Sequence, residues 1–197
     1  MSQRNSFTKW ILWGAIVVTA MGSGIYYLYD EARKTQIDLP VYANVPEFSF
    51  IERSGEPFGD AEMTGKINVV SFFFTSCTEA CPTMMSEMRH VYRWFSDAKD
   101  FQIVSISVDP GTDSLSVLQA YAEANGIVDN RWLLLRESAE KVNNLAEKGF
   151  LVSGTQNHSN HFILVDAQKR VRGYYDSHDK DRLRELREHV VALLGSL

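Results

Sequence analysis

Hydrophobic and polar positions follow two different periods along residues 45–197 of this chain. Period-two alternation and short apolar runs predict β-strands, which fall at 46–51, 67–74, 101–108, 132–135, 162–166 and 171–175. Apolar positions at helical spacing predict helices over 82–95, 114–125, 138–148 and 179–194. Strands that alternate with helices in this way predict an α/β fold, a mixed sheet covered by helices on both faces.

The N-terminal part of the chain has a different pattern, because no residue from 10 to 29 is charged. At ~1.5 Å per residue a helix of this length crosses a hydrocarbon core of ~30 Å. Tryptophans at one end and tyrosines at the other match the aromatic belts of membrane spans. We therefore expect a transmembrane anchor over 10–29. A cleaved signal peptide, with its site at 18–20, is the alternative, but the apolar run continues nine residues past Ala20.

This anchor divides the chain into four parts. We expect a cytoplasmic N-terminus at 1–9, the anchor at 10–29, a linker at 30–44 and one folded domain at 45–197. Arg4 and Lys9 precede the anchor without any acidic residue, which favours a cytoplasmic N-terminus. The resulting prediction is a single-pass protein of a bacterial inner membrane, with its soluble domain in the periplasm.

Charge and cysteine content exclude some classes of function. The net charge is −5 and there is no basic block, so nucleic acid is not an expected partner. The chain has two cysteines, too few for a disulfide scaffold or a four-thiolate zinc site.

Both cysteines, Cys77 and Cys81, directly follow the predicted central strand at 67–74, and Pro82 after them suits the first turn of a helix. Open α/β sheets place their chemistry at the carboxyl ends of strands, and a helix N-terminus lowers the pKa of a nearby thiol. If the helix reaches back to Cys77, the i,i+4 spacing puts both sulfurs on one face, where they could bind a metal ion or form a disulfide. With the strand order, this position predicts a thioredoxin-like fold.

Five histidines compete as a third partner of these thiols. His90 and His189 lie in helical patterns with charged neighbours, and His178 lies in a polar turn, so we expect all three to be solvated. His158 and His161 flank the start of a late strand. His158 is the favoured partner, because the loop before that strand faces the active cysteines in thioredoxin-like chains.

Two thiolates and one imidazole form a soft ligand set that suits Cu(I), and imidazole also accepts Cu(II). A catalytic zinc site is the weaker alternative, because zinc would need a fourth ligand or a water. Met84, Met85 and Met88 follow the cysteines closely, but their helical spacing predicts core packing rather than metal binding.

The sequence 72–82 resembles the signature of the Sco/SenC family, the copper chaperones of cytochrome c oxidase assembly. The likeness continues through 107–110 with Asp113, Trp132 and the segment from His158 to 166, and it covers the chain from Val45 to its end. The resemblance implies that Cys77, Cys81 and His158 bind one copper ion. It also implies that Asp109 lies near the site, although Asp109 could equally be a turn residue that shapes the strand end.

The resemblance further implies a membrane-anchored metallochaperone rather than an enzyme, which delivers copper to the dinuclear site of cytochrome c oxidase subunit II. A second periplasmic copper chaperone or a thioredoxin-like reductase would be its other partners. The alternative is a thiol-disulfide oxidoreductase that reduces the acceptor's cysteines before metallation, with Cys77 attacking and Cys81 resolving. Two departures, the short segment 149–158 and the pair Arg136–Glu137, bear on partner recognition rather than on the ligands.

Overall fold

The computed structural model describes residues 10, 13–26, 38–77, 81–152 and 160–197, with the side chain of Cys81 excluded. The chain divides into two compact units, Met1–Asp38 and Leu39–Leu197. The second unit therefore begins at Leu39, earlier than the domain start expected at Val45.

The first unit contains a helix, α1, over residues 13–26, and its apolar side chains are exposed. Its hydroxyl groups bond back to the helix: Thr19 donates to the carbonyl of Ala15 at 2.9 Å, and Ser23 to that of Ala20 at 2.9 Å. Across the residues that the structure describes, no helix combines the length and the apolar character needed to cross a membrane. Residues 11, 12 and 27–29 of the expected anchor lie outside the described residues.

The second unit is built from strands and helices that alternate along the chain. The strands are β1 (Ala43–Asn44), β2 (Ser49–Glu52), β3 (Pro57–Gly59), β4 (Ile67–Phe73), β5 (Phe101–Ser107), β6 (Trp132–Arg136), β7 (His161–Val165) and β8 (Arg170–Asp176). The helices are α2 (Asp60–Met63), α3 (Cys81–Trp94), α4 (Leu115–Ala124), α5 (Ala139–Gly149) and α6 (Lys180–Leu194). Each segment predicted from periodicity is present, with ends that differ by a few residues.

All eight strands form one sheet in the order β1-β8-β7-β4-β5-β6-β2-β3. The β4–β5 and β5–β6 pairs are parallel, and the other pairs are antiparallel. The sheet is therefore mixed, as predicted, with β4 near its centre. The carboxyl ends of β4, β5 and β6 lie together at one edge of the sheet, which we call the carboxyl edge.

Two hydrophobic clusters pack against opposite faces of the sheet, because alternate residues of a strand point to opposite sides. Ile67, Val69 and Phe73 of β4 join α3, α4 and α6 in one cluster. Val70 and Phe72 of β4 join α2 and α5 in the other. Residues such as these stabilise the fold by about 1.5–3 kcal/mol per buried side chain, so β4 is held from both sides.

The methionines of α3 belong to the first of these clusters. Met84, Met85 and Met88 are at most 2% exposed. Their predicted role in core packing is confirmed, and α3 is fixed against the sheet along its buried face.

Sequence periodicity missed three short elements. β1, β3 and α2 contain two, three and four residues, too few to display a period. β3 extends the hairpin from β2, with Phe50 opposite Phe58, and the turn between them contains Gly55 at φ 95. Such a positive φ is the backbone conformation that favours glycine.

Candidate metal centre

Cys77 lies at the carboxyl edge, four residues after the end of β4. Its backbone N–H donates to the carbonyl of Phe74 at 3.3 Å, and its side chain is partly exposed. Cys81 is the first residue of α3. Cys77 therefore ends the turn after β4 and precedes the first residue of α3 by four residues. A helix N-terminus favours negative charge close to it.

The side chain of Cys81 and the whole of His158 lie outside the described residues, since 78–80 and 153–159 are not described either. Among the described residues, no three His, Cys, Asp or Glu side chains form a group that could hold a metal ion. The expected ligand set of Cys77, Cys81 and His158 stays a prediction.

The strand that follows His158 along the chain starts at the carboxyl edge. β7 begins at His161 and runs antiparallel to β4, with Ile163 opposite Val70. The amino end of β7 therefore lies beside the carboxyl end of β4. His161 itself has an exposed side chain.

Asp109 and Asp113 follow β5 at the same edge, and they have different surroundings. Asp109 is partly exposed, and its Oδ1 accepts from the N–H of Thr112 at 3.3 Å. Its carbonyl accepts from the N–H groups of Thr112 and Asp113 at 3.2 and 2.9 Å. These are the contacts of a turn residue, and the expectation that Asp109 also lies near the copper site stays a prediction.

Asp113 is fully buried and connects the ends of two strands. Its carboxyl group accepts hydrogen bonds of 2.5 Å from Thr75 Oγ1 and 2.5 Å from Ser107 Oγ, and both of its oxygens lie 3.3 Å from the N–H of Thr75. Because Thr75 is two residues before Cys77, Asp113 fixes the start of the turn that carries this thiol. Sequence reasoning noted Asp113 in the motif but assigned it no role in the site.

The end of β6 completes the carboxyl edge. Arg136 Nη2 donates to the carbonyl of Pro110 at 2.9 Å, which holds the turn after β5 against β6. Glu137 accepts from the N–H of Ser138 at 2.8 Å, and this hydrogen bond lowers the pKa of Glu137. The Arg136–Glu137 pair therefore shapes the end of β6 and holds the turn after β5.

Of the other histidines, His178 follows β8 at this same edge, because Asp176 lies opposite His161, whereas His90 lies in α3 and His189 in α6. His90 and His178 are exposed, as expected. The prediction that His189 is solvated is wrong, because its Nδ1 lies 2.6 Å from the hydroxyl of the buried Tyr175. Burial lowers the pKa of His189 and raises that of Tyr175. A charged-neighbour pattern in α6 could not reveal a contact that depends on how the helix packs on β8.

A comparison with known sequences identifies relatives of this chain. The sequence profile described as SCO1/SenC matches residues 39–194. An SCO2-like protein from Rickettsia felis is 30% identical over 115 residues, which cover 54% of this chain and 56% of that relative. The matched part thus spans little more than half the length of that relative.

Solved structures share the fold. A SCO1/SenC family lipoprotein from Bacillus anthracis is 27% identical with a TM-score of 0.72, over 80% of this chain and 98% of that one. BsSco, a member of the Sco family of cytochrome c oxidase assembly proteins with a disulfide switch, is 24% identical with a TM-score of 0.72, over 81% and 98%. Yeast Sco1 with copper bound is 23% identical with a TM-score of 0.61, over 76% and 90%. With its thioredoxin-like sheet, its cysteines after the central strand and a profile match over most of its length, this chain belongs to the SCO1/SenC family.

Proposed function

We propose that this protein is a membrane-anchored copper chaperone. It binds one copper ion through Cys77, Cys81 and His158 and delivers it to the dinuclear copper site of cytochrome c oxidase subunit II. The observation that carries the proposal is the position of the cysteines, with Cys77 in the turn after β4 and Cys81 at the first position of α3. Cys77 therefore lies at the carboxyl edge, where the amino end of β7 lies beside the carboxyl end of β4.

The chemistry of the donor set supports copper as the cargo. Two thiolates and an imidazole are ligands that suit Cu(I), and imidazole also accepts Cu(II). His158 precedes His161 by three residues, and an extended chain spans at most ~3.6 Å per residue. His158 is thus within about 11 Å of the first residue of β7, at the edge where β4 ends. The related yeast protein has been crystallised with copper bound.

Delivery requires that a ligand of the acceptor reaches the metal. The partial exposure of Cys77 supports this step, because an entering thiolate or imidazole can approach from solvent. Three protein ligands leave a coordination position open, so copper can pass by ligand exchange. The copper ion keeps its oxidation state in this transfer, and no external oxidant or reductant is needed.

The membrane anchor is part of the proposal. Residues 10–29 would form the span, with residues 1–9 in the cytoplasm and the domain in the periplasm. Its helical part supports this, because Thr19 and Ser23 satisfy their hydroxyl groups within α1, as polar groups in lipid require. The related Bacillus anthracis protein is a lipoprotein.

A titration with Cu(I) tests the copper site. Under anaerobic, reducing conditions and against a competing chelator, the wild-type protein should bind one copper ion tightly. Cys77→Ser should abolish tight binding, and His158→Ala should weaken it strongly. His161→Ala is the matched control, because it removes an imidazole three residues away, and it should bind like wild type. Tight stoichiometric binding by Cys77→Ser would refute the proposed site.

A thiol-disulfide oxidoreductase is the second candidate, and the place of Cys77 between the end of β4 and the start of α3 favours it. In that reaction the Cys77 thiolate attacks an acceptor disulfide, and Cys81 then displaces the acceptor as the enzyme's own disulfide forms. This candidate predicts a Cys77 pKa well below the ordinary thiol value of about 8.5. The pH dependence of alkylation in Cys81→Ser measures it, and an ordinary pKa would count against this activity.

A further inference from the structure

A second surface, formed by α3 and α6, has the composition of a lipid-binding face. A pocket of about 240 Å³ lies between these helices, lined by Glu87, His90, Trp94, Lys180, Arg184 and Arg187 among others. Three of these lining residues are cationic and one, Glu87, is acidic, whereas the whole chain has a net charge of −5. The pocket is therefore in a locally cationic part of an acidic protein.

Trp94 stands at the centre of this surface. Its side chain is 38% exposed, and the guanidinium carbon of Arg187 lies 5.4 Å from its ring centroid. On the same helix, His90 Nδ1 lies 2.9 Å from Arg93 Nη2. An indole that is partly open to solvent and lies beside an arginine suits the boundary between water and lipid headgroups.

The acidic side chains at this surface do not neutralise all of its cations. Glu87 pairs with Lys180, and Asp181 pairs with Arg184 at 3.0 Å. Arg184 remains 68% exposed, so it can reach an anion without leaving the helix surface. Arg187 stacks on an aromatic ring, which leaves its N–H groups able to donate to a phosphate oxygen.

The length of the linker brings lipid within reach of the domain. Nine residues separate the expected anchor, which ends at residue 29, from Leu39. Fully extended, they span at most about 32 Å, so an anchored chain keeps the domain within this distance of lipid headgroups. Charge complementarity selects the face of α3 and α6.

We propose that the α3–α6 face docks on an anionic membrane surface, with Arg184 and Arg187 at lipid phosphates and the Trp94 ring at the headgroup level. The inference rests on the membrane anchoring in the proposed function. α3 begins at Cys81, so docking through this helix would fix the orientation of the carboxyl edge relative to the bilayer. An acceptor held in the same membrane would then meet the thiols in one orientation.

Vesicle binding by residues 39–197 tests this docking. Both core clusters lie entirely within these residues, so this unit folds without the anchor. It should sediment with vesicles of phosphatidylglycerol and phosphatidylcholine but not with phosphatidylcholine alone. Its fluorescence should shift to the blue on binding, because Trp94 is exposed while Trp132, its other tryptophan, is buried.

Two double variants with the same change of charge separate this face from general electrostatics. Arg184→Gln/Arg187→Gln should weaken vesicle binding at least tenfold, because each cation near an anionic surface contributes to binding. Lys141→Gln/Lys148→Gln changes α5, which packs on the opposite face of the sheet, and should bind like wild type. Equal weakening by both variants, or no preference of wild type for anionic vesicles, would overturn the proposal.

Three further measurements test whether another partner binds this face and whether the copper site is intact. Polyglutamate that binds this surface while vesicles do not would assign the face to an acidic protein and refute lipid docking. Dimers in sedimentation that depend on Arg184 and Arg187 would assign it to a second copy. Copper titration of Arg184→Gln/Arg187→Gln should match wild type, so loss of vesicle binding and loss of the copper site are separate results.

Discussion

Asp113 should be the main polar support of the turn that carries Cys77, and its removal is the most informative test of this structure. Its carboxyl group is buried and accepts from Thr75 Oγ1, Ser107 Oγ and the N–H of Thr75. Asp113→Ala removes the acceptor of three donors at once. A hydrogen bond to a charged group contributes about 1.5–3 kcal/mol, and a neutral one about 0.5–1.5 kcal/mol.

From these contacts we expect Asp113→Ala to lower the free energy of unfolding by about 3–5 kcal/mol. Asp109→Ala is the matched control four residues away. Its side chain accepts one long hydrogen bond, at 3.3 Å from the N–H of Thr112, so we expect a loss of about 0.5–1 kcal/mol. Urea unfolding followed by circular dichroism measures both, and the difference should be several-fold.

A second readout connects Asp113 to the proposed site. Asp113→Asn keeps the size of the side chain, so the protein should remain folded while the hydrogen bonds that Thr75 donates to this side chain weaken. Copper affinity should then fall more than it does in Asp109→Asn. Equal stability losses in Asp113→Ala and Asp109→Ala would refute the argument that the buried carboxyl group holds the ends of β4 and β5 together.

Three further predictions concern parts of the domain away from the cysteines. Arg172→Met should lower the free energy of unfolding by about 3 kcal/mol, because it breaks a 2.7 Å ion pair with the buried Asp166. The free energy of unfolding of the wild type should fall from pH 7 to pH 5. Burial lowers the pKa of His189 below its ordinary value of 6.5, so the unfolded chain binds this proton at a higher pH than the folded chain does. His189→Asn should show a smaller fall over the same pH range. Gly59→Ala should cost about 1–3 kcal/mol, because its Cβ would lie 2.2 Å from the carbonyl oxygen of Phe48. Unfolding in urea, repeated at several pH values for His189, measures all three.

Each of these variants has a control in the same domain. Arg170→Met loses a partly exposed contact to the same aspartate and should cost less than Arg172→Met. His178→Asn changes an exposed imidazole and should keep the wild-type pH profile. Gly111→Ala places its Cβ in ordinary contact, 3.5 Å from a side-chain oxygen, and should be nearly neutral. A control that behaves like its partner would contradict the corresponding argument.

The central elements could be predicted from sequence because burial on both faces leaves a continuous apolar run. The predicted strand 67–74 is β4 (Ile67–Phe73), and the predicted helix 82–95 is α3 (Cys81–Trp94). The position of Cys77 and Cys81 at the carboxyl edge follows from these two elements alone. In contrast, β1 was placed in the linker, because two residues that pair with β8 have no pattern of their own.

The contacts of the carboxyl edge were harder to predict because they join distant parts of the chain. The Asp109–Pro110 pattern drew attention to Asp109, whereas the buried carboxyl group belongs to Asp113, whose partner Thr75 is 38 residues away. Leu39 is a second case of a contact between distant parts of the chain. It lies in the core, although the sequence pattern placed it in the linker. Arg172 donates to the carbonyls of Leu39 and Pro40, and no local pattern indicates such a contact.

X-ray absorption at the copper K-edge of the full chain, loaded with one equivalent of Cu(I), tests the central claim most directly. We expect two sulfur ligands and one imidazole nitrogen per copper. The imidazole contribution should disappear in His158→Ala and persist in His161→Ala. A copper environment without sulfur, or a spectrum that His158→Ala leaves unchanged, would contradict the site of Cys77, Cys81 and His158.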